Sequence, residues 1–536
     1  MIDHESTLND LFERAFKLYP DHTVISYCDF EMTYGQLDIR AGQFANFLKK
    51  KGIGYGDRVG MILPNSPQLV IAYLGTLRVG AIVVMMNPFA NSDDILEMVQ
   101  QTKPSIIISL KDFRKHNYEI ANFATYNGLL MVISLADYFP LGLGIKYWLK
   151  NTFWDGPRYW IKNPHRIGFF VGPRWDETER CAPTRTSCGL KSTDTAVLQF
   201  TGGTTGGLKA AELTHYNLVN NTNQALSVLG DLVSEDSVFL GALPLFHVYG
   251  LSVCLNIVLS RGCKLVIPRP RKKPNPVNLL KTIMAERVTI LPSLPKIFSL
   301  ILKAGAPKEY CRSLKVCFSG AGALNGELKK EFEEYSGAKI FEGYGLSETS
   351  PIALVNTPAA NRDGSLGKPV PDTEVKIVNE ELYIRGPQVM RGYWGKHRET
   401  HEVLDREGWL ATGDMARVDE DGFYWMTDRK KDMIKIRGEN VYPSEIEDVI
   451  KRHSGVAEVA VVGIPDRDLG ERIVACVVKK NEKLKAEEIL SFCRKEGLAS
   501  IKMPQEVRFI KEIPKNPILG KILKKELRTM IQKGGQ

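Results

Sequence analysis

The chain has 536 residues, long enough for two or more domains and for large buried cores. Its 43% hydrophobic and 25% charged residues are those of an ordinary soluble globular protein, and a net charge of +9 suits anionic ligands or an acidic membrane surface while lacking the concentration of a nucleic-acid binder. Nine scattered cysteines without a C-x-x-C pair argue against a disulfide framework and offer no zinc spacing, so a reducing cytoplasm is expected.

In chain order, Met1-Ile2-Asp3-His4-Glu5 carries neither the basic nor the apolar region of a signal peptide. Residues 58–63 predict a strand, 68–78 a helix and 81–85 a second strand. Residues 69–86 have the length of a membrane span, but Arg78 and two glycines interrupt them, and a central arginine is costly in lipid. A buried helix followed by a strand is the expectation. Strand patterns recur at 105–110, 263–267, 289–291 and 315–319, with helical stretches between several of them. Such alternation predicts an α/β fold with largely parallel sheets.

Residues 137–180 stand apart. They hold four of the seven tryptophans (Trp148, Trp154, Trp160, Trp175) together with Lys146, Lys150, Arg158, Lys162, Arg166 and Arg174. Aromatics interleaved with basic residues are expected of a segment lying on an anionic bilayer, here the inner face of the membrane. The alternative is a surface excursion whose aromatics pack on the domain.

After residue 364 the texture changes. Residues 374–378 and 381–384 alternate like strands of a small antiparallel or barrel-like unit. Beyond residue 430, strands at 456–463 and 473–479 and helices at 444–453 and 485–495 predict a small α+β domain of ordinary size. The expected organisation is a large N-terminal domain, 1–429, of two α/β subdomains plus the β-rich unit 364–429, followed by a C-terminal domain at 430–536.

The densest chemical signal is Leu198-Gln199-Phe200-Thr201-Gly202-Gly203-Thr204-Thr205-Gly206-Gly207-Leu208-Lys209. Glycines let a backbone approach a ligand closely, and successive N–H groups with threonine hydroxyls form a nest for anions. Lys209 adds a point charge for phosphate. The run is not a Walker A loop, because Leu208 precedes Lys209 and Ala210 follows it. Taken alone it is a polyphosphate cradle or an empty glycine-rich hairpin.

Four further segments bear on that choice. Gly343-Tyr344-Gly345-Leu346-Ser347-Glu348 combines an aromatic face, a hydroxyl and a carboxylate, which a base and the Mg²⁺ accompanying ATP would need. Trp409-Leu410-Ala411-Thr412-Gly413-Asp414 ends on a carboxylate able to accept both ribose hydroxyls. Asp428-Arg429-Lys430-Lys431-Asp432 concentrates charge at the domain boundary, and Asn516-Pro517-Ile518-Leu519-Gly520-Lys521 presents a lysine before a basic helix. Each has a purely structural reading: a core aromatic, a turn aspartate, a solvated helix start.

In this order the segments resemble the adenylate-forming superfamily of acyl-CoA synthetases, and most closely the bacterial long-chain fatty-acyl-CoA ligases. The resemblance runs from about Leu8 to Arg528 and includes Leu243-Pro244-Leu245-Phe246-His247, Ser319-Gly320-Ala321-Gly322 and the stretch from Ile384 to Tyr393. It implies ATP, Mg²⁺ and coenzyme A as cofactors or cosubstrates and a fatty acid as substrate. Thr201, Gly202, Gly203, Thr204, Thr205, Gly206 and Lys209 would form the phosphate loop. Gly343, Tyr344, Gly345 and Ser347 would hold adenine, with Gly320, Ala321 and Gly322 lining its other side. Asp414 and Arg429 would bind ribose, and Glu348 with Thr201 the metal. Lys521 would act in adenylation; Lys431 in the hinge and Arg437, Gly438 and Glu439 would serve the CoA step after the small domain rotates. His247 would border the acyl carboxylate, the alternative being a packed or capping histidine. A homodimer is compatible with the family.

Three departures accompany the resemblance. Leu208 and Ala210 stand where proline or a small residue and then glycine are common, so Ala210 is expected to restrict the backbone after Lys209. Ser347 replaces the commoner threonine. Pro514 and Gly520 are one residue further apart than usual, which predicts a bulge in the loop carrying Lys521. The expected activity is ligation of a long or medium fatty acid to CoA. The alternatives are transfer to a carrier protein, an aryl-CoA ligase, or a non-catalytic acyl or nucleotide binder.

Overall fold

A computed structural model of the chain describes residues 3–123, 126–140, 172–185, 188–201, 207–269, 275–437, 439–467, 469–515 and 522–532. Four of the expected strands are buried at every position: Ile82–Met85, Ile106–Leu110, Ile290–Ser293 and Val316–Ser319. Strands apolar on both faces require cover on both faces, the setting of a parallel sheet between helices. The chain forms two compact units, Met1–Glu374 with Arg385–Leu410, and Val375–Ile384 with Ala411–Gln536.

The first unit holds two large sheets. One has the spatial order Gly392–Tyr393, Lys209–Thr214, Thr195–Thr201, Ile82–Met85, Arg58–Ile62, Ile106–Leu110, Leu129–Ile133. Its last five strands are mutually parallel, and the first two run antiparallel to their neighbours. The other has nine strands, from Lys368–Pro369 at one edge to Phe30–Thr33 at the other. Its six central strands are parallel, with antiparallel pairs only towards the edges. Each sheet is sealed by its own core. Leu198, Val84, Ile107 and Met98 belong to one, and Phe298, Phe332, Leu280 and Ile340 to the other.

The apolar stretch 69–86 is a buried helix and strand, as expected. Every residue of Pro67–Arg78 is buried, and Ser66 caps the helix by accepting from the Leu69 N–H. Arg78 is tolerated because Asp38 pairs with it at 2.5 Å and its main-chain oxygen takes a second bond. Among the described residues no helix is long and apolar enough to cross a membrane. Of the aromatic-basic segment, Tyr138 and Trp175 are buried, Trp175 with its ring 5.7 Å from Phe44. Residues 141–171, including Trp148, Trp154 and Trp160, lie outside the described residues.

The second unit contains a four-stranded sheet, Glu374–Val378, Glu381–Arg385, Leu410–Val418 and Tyr424–Arg429. A five-stranded sheet is built on the long hairpin Val456–Asp466 and Gly470–Lys479. That hairpin extends beyond the expected 456–463 and 473–479, because pairing continues to Asp466 opposite Gly470, whose φ of +82° suits glycine. The helices Pro443–Lys451 and Ala486–Lys495 cover one face, and Lys524–Gln532 packs on the hairpin through Leu527 and Ile531.

Candidate active site

The glycine-rich run sits on an antiparallel hairpin at one end of the seven-stranded sheet. Thr195 faces Thr214 at its base and Thr201 faces Lys209 at its mouth. Gly202, Gly203, Thr204, Thr205 and Gly206 lie outside the described residues. Gly207 has φ +79°, a conformation that needs glycine. The returning limb is tied to the helix Ser92–Thr102. Glu97 accepts from the Leu208 N–H at 3.2 Å, and Gln101 donates to the Leu208 carbonyl at 3.0 Å. Leu208 thus uses a main-chain donor that proline lacks. Ala210 is a buried strand residue opposite Phe200, and its carbonyl accepts from the Trp394 N–H at 2.9 Å.

The turn Ser347–Thr349 packs against both strands of this hairpin, which brings Glu348 to it. The Met390 N–H donates to the Glu348 carbonyl and the Tyr393 hydroxyl donates to its carboxylate, each at 2.8 Å. The Lys209 ammonium stands over the Tyr393 ring, 5.0 Å from its centre. Tyr393 is buried, and burial together with the Glu348 charge raises its hydroxyl pKa well above the ordinary value, so it stays a donor.

Tyr344 lies on the strand Lys339–Gly345 opposite Leu354. Gly345 beside it has no room for a side chain, since a Cβ would stand 1.7 Å from the Pro351 carbonyl oxygen. Gly320 follows the strand Val316–Ser319, and a Cβ there would lie 3.1 Å from the Tyr249 ring. Ala321 adopts φ +62°, a strained backbone of the kind that clusters at functional loops. His247 is drawn towards the hairpin because Gln199 donates to the Phe246 carbonyl at 3.0 Å. Its Nδ1 accepts from the Tyr249 N–H at 3.2 Å, which assigns the neutral ring's proton to Nε2.

In the second unit, Asp414 and Arg429 are register partners on adjacent strands, and Arg429 Nε lies 3.2 Å from an Asp414 oxygen. Asp414 is buried, and its N–H is held by the Thr412 hydroxyl at 3.1 Å. Glu381, which the sequence did not single out, is also buried and accepts from Lys430 at 2.6 Å and from the Gly413 N–H at 3.2 Å. Lys431 follows Lys430 at the start of the turn into Ile434–Ile436. Arg437, at φ +51°, follows the strand Ile434–Ile436, and Glu439 opens its antiparallel partner Glu439–Val441, while Gly438 lies outside the described residues. Lys521 also lies outside them. The residues on either side are joined, Lys515 bridging Ile522 and the Leu523 N–H donating to the Pro514 carbonyl at 2.8 Å.

The structure therefore brings Thr201, Lys209 and Glu348 to one place, with Tyr393 between the last two. Sequence reasoning missed Tyr393, Glu97, Gln199 and Glu381. Tyr393 lay in a quoted motif, but nothing in a linear pattern marks the partner of a hydroxyl. Among the described residues no group of three or more His, Cys, Asp or Glu could hold a metal ion. The donors at the hairpin are instead a carboxylate and a hydroxyl, hard oxygens of the kind that bind Mg²⁺ with help from substrate phosphates.

The AMP-binding enzyme family matches residues 12–394 and the AMP-binding enzyme C-terminal domain matches 445–518. A long-chain-fatty-acid–CoA ligase of Bacillus subtilis (strain 168) is 36% identical, with 97% of this chain and 94% of the relative covered. One of Yersinia pestis is 34% identical over 98% of this chain and 94% of the relative. Among solved structures, ATP-bound MatB from Rhodopseudomonas palustris superposes with a TM-score of 0.83 at 26% identity, covering 99% of this chain and all of that one.

Proposed function

This chain belongs to the AMP-binding enzymes, and we propose that it is an ATP-dependent, AMP-forming fatty-acid–CoA ligase. The observation that carries the reading is the convergence of Thr201, Lys209 and Glu348 at the mouth of the hairpin, in a chain similar over nearly its whole length to long-chain-fatty-acid–CoA ligases.

A carboxylate resists nucleophilic attack because of its charge. One carboxylate oxygen of the fatty acid attacks the α-phosphorus of ATP, the bond to the β-phosphate oxygen breaks, and pyrophosphate leaves. The thiolate of CoA then attacks the acyl carbon and AMP departs with the bonding pair. No protein nucleophile is needed, so the chain's task is positioning and stabilisation of charge.

In this reading the loop 201–206 and Lys209 cradle the phosphates, Tyr344 stacks on adenine, and Gly320, Ala321 and Gly322 line its other side. Asp414 and Arg429 take the ribose hydroxyls, and Lys521 lies against the carboxylate and α-phosphate during adenylation. Lys431 and the Arg437-Gly438-Glu439 turn serve the CoA step. His247 borders the acyl carboxylate. Glu348 and Thr201 hold Mg²⁺, which when bound neutralises charge on the phosphates. The basic residues between 146 and 174 make peripheral contact with an anionic membrane, while Tyr138 and Trp175 serve packing.

The test is pyrophosphate release across short to long fatty acids and several aryl acids, with and without CoA. Release that peaks on long or medium fatty acids, with acyl-CoA accumulating only when CoA is present, is the expected result. Acyl-AMP that CoA does not consume would redirect the reading to a carrier-protein acceptor. Release with no acid at all would remove it.

A further inference from the structure

The segment 390–394 grips two parts of the site at once. Its main chain holds the return strand of the hairpin, with Tyr393 paired to Ala211 and Trp394 donating to the Ala210 carbonyl at 2.9 Å. It also holds Glu348 at both ends, through the Met390 N–H to the carbonyl and the Tyr393 hydroxyl to the carboxylate. The position of Tyr393 is itself fixed. Its N–H donates to the Thr400 hydroxyl at 2.9 Å, and a Cβ on Gly392 would stand 2.8 Å from the Thr400 methyl carbon.

A carboxylate on a short turn can rotate about its side-chain bonds, so its oxygens face a cation only part of the time. A hydrogen bond from a buried, fixed hydroxyl removes that freedom, as partners of metal-binding carboxylates commonly do. The ring of the same residue carries the Lys209 ammonium on its face, an attraction that holds the cation beside the return strand.

Resting on the function proposed above, we infer that Tyr393 is a positioning residue with two separable tasks. Its hydroxyl orients the Glu348 carboxylate towards the divalent cation that accompanies the nucleotide, and its ring holds Lys209 towards the phosphates.

The two tasks predict different losses. Tyr393→Phe keeps the ring and removes the hydroxyl. Calorimetric titration of ATP at a series of Mg²⁺ concentrations should show the Mg²⁺ midpoint raised about tenfold, with ATP affinity in EDTA unchanged. Tyr393→Leu should show the same Mg²⁺ shift and also weaken ATP binding in EDTA by roughly three- to tenfold, because the cation–π contact is gone. In a Glu348→Gln background, Tyr393→Phe should change the Mg²⁺ midpoint by less than about twofold, since the carboxylate it orients is absent. A wild-type midpoint in Tyr393→Phe overturns the inference, as does an equal shift with and without the Glu348 carboxylate. Comparing the two Glu348→Gln proteins keeps the test decisive where one single variant is poorly folded. The function reading fails separately: a wild-type protein that binds Mg²⁺ and ATP with this coupling but adenylates no fatty acid overturns that reading alone.

Discussion

His215 is 1% exposed at the start of the helix His215–Leu229, and its protonation state should govern the acid stability of the first unit. Its Nδ1 accepts from the Leu8 N–H at 3.1 Å, a bond that only a neutral ring can accept. Protonation would bury a charge and turn that acceptor into a second donor facing the N-terminal helix Leu8–Leu18. Burial accordingly pulls the imidazole pKa from 6.5 down to about 4, against the weaker opposing pull of Asp194 and Asp10. The unfolded chain therefore binds the proton more readily than the folded one. The stability associated with the neutral ring is complete above pH 6.5 and is lost progressively as pH falls towards 4. The difference amounts to about 2 kcal/mol at pH 5 and roughly 3 kcal/mol below the folded pKa. Urea unfolding at pH 7.5, 6.0 and 5.0 should show this loss in the wild-type protein. His215→Asn, which retains an acceptor for Leu8 but does not titrate, should lose about 2 kcal/mol less over the same range. Parallel pH profiles for the two proteins would refute the argument that His215 is held neutral by its burial.

Three further predictions address other parts of the molecule. Gly345→Ala places a methyl 1.7 Å from the Pro351 carbonyl oxygen and should cost about 3 kcal/mol of stability and weaken ATP binding through the displaced Tyr344; an unchanged urea midpoint would refute the close approach. Lys521→Ala should abolish acyl-AMP formation while retaining thioesterification of supplied acyl-AMP, and if both half-reactions persist Lys521 is not in the site. Reversing the charges of Lys146, Lys150, Arg158, Lys162, Arg166 and Arg174 should weaken binding to anionic vesicles by about 1 kcal/mol per charge near the surface, whereas unchanged sedimentation with vesicles would leave the segment as packing.

Much of the fold was legible because local pattern and burial coincide. Residues 105–110 and 315–319 are short apolar runs with a strand pattern, and each forms a strand with a parallel neighbour on both sides. The helix 68–78 reads as apolar on all sides and is buried on all sides. The setting of Ala210 was not legible, because its pairing with Phe200 depends on the neighbouring strand and not on its own backbone freedom. The pairing of Leu208 with Glu97 was hidden, since the two are 111 positions apart and Glu97 belongs to no recognisable motif.

The sequence by itself determined which chemical groups this protein carries and their order: a glycine-threonine loop ending on Lys209, the aromatic-to-carboxylate run at 343–348, Asp414, Arg429 and Lys521. Those are properties of residue type and short spacing, which survive without coordinates. Only the tertiary structure decided which groups meet. Glu348 reaches the hairpin because its turn packs on both strands, and Tyr393 comes between Glu348 and Lys209 because its strand pairs with the edge of the same sheet. A hydrogen bond between residues 45 positions apart, and a cation on a ring 184 positions from it, depend on strand pairing across the sheet rather than on local propensity.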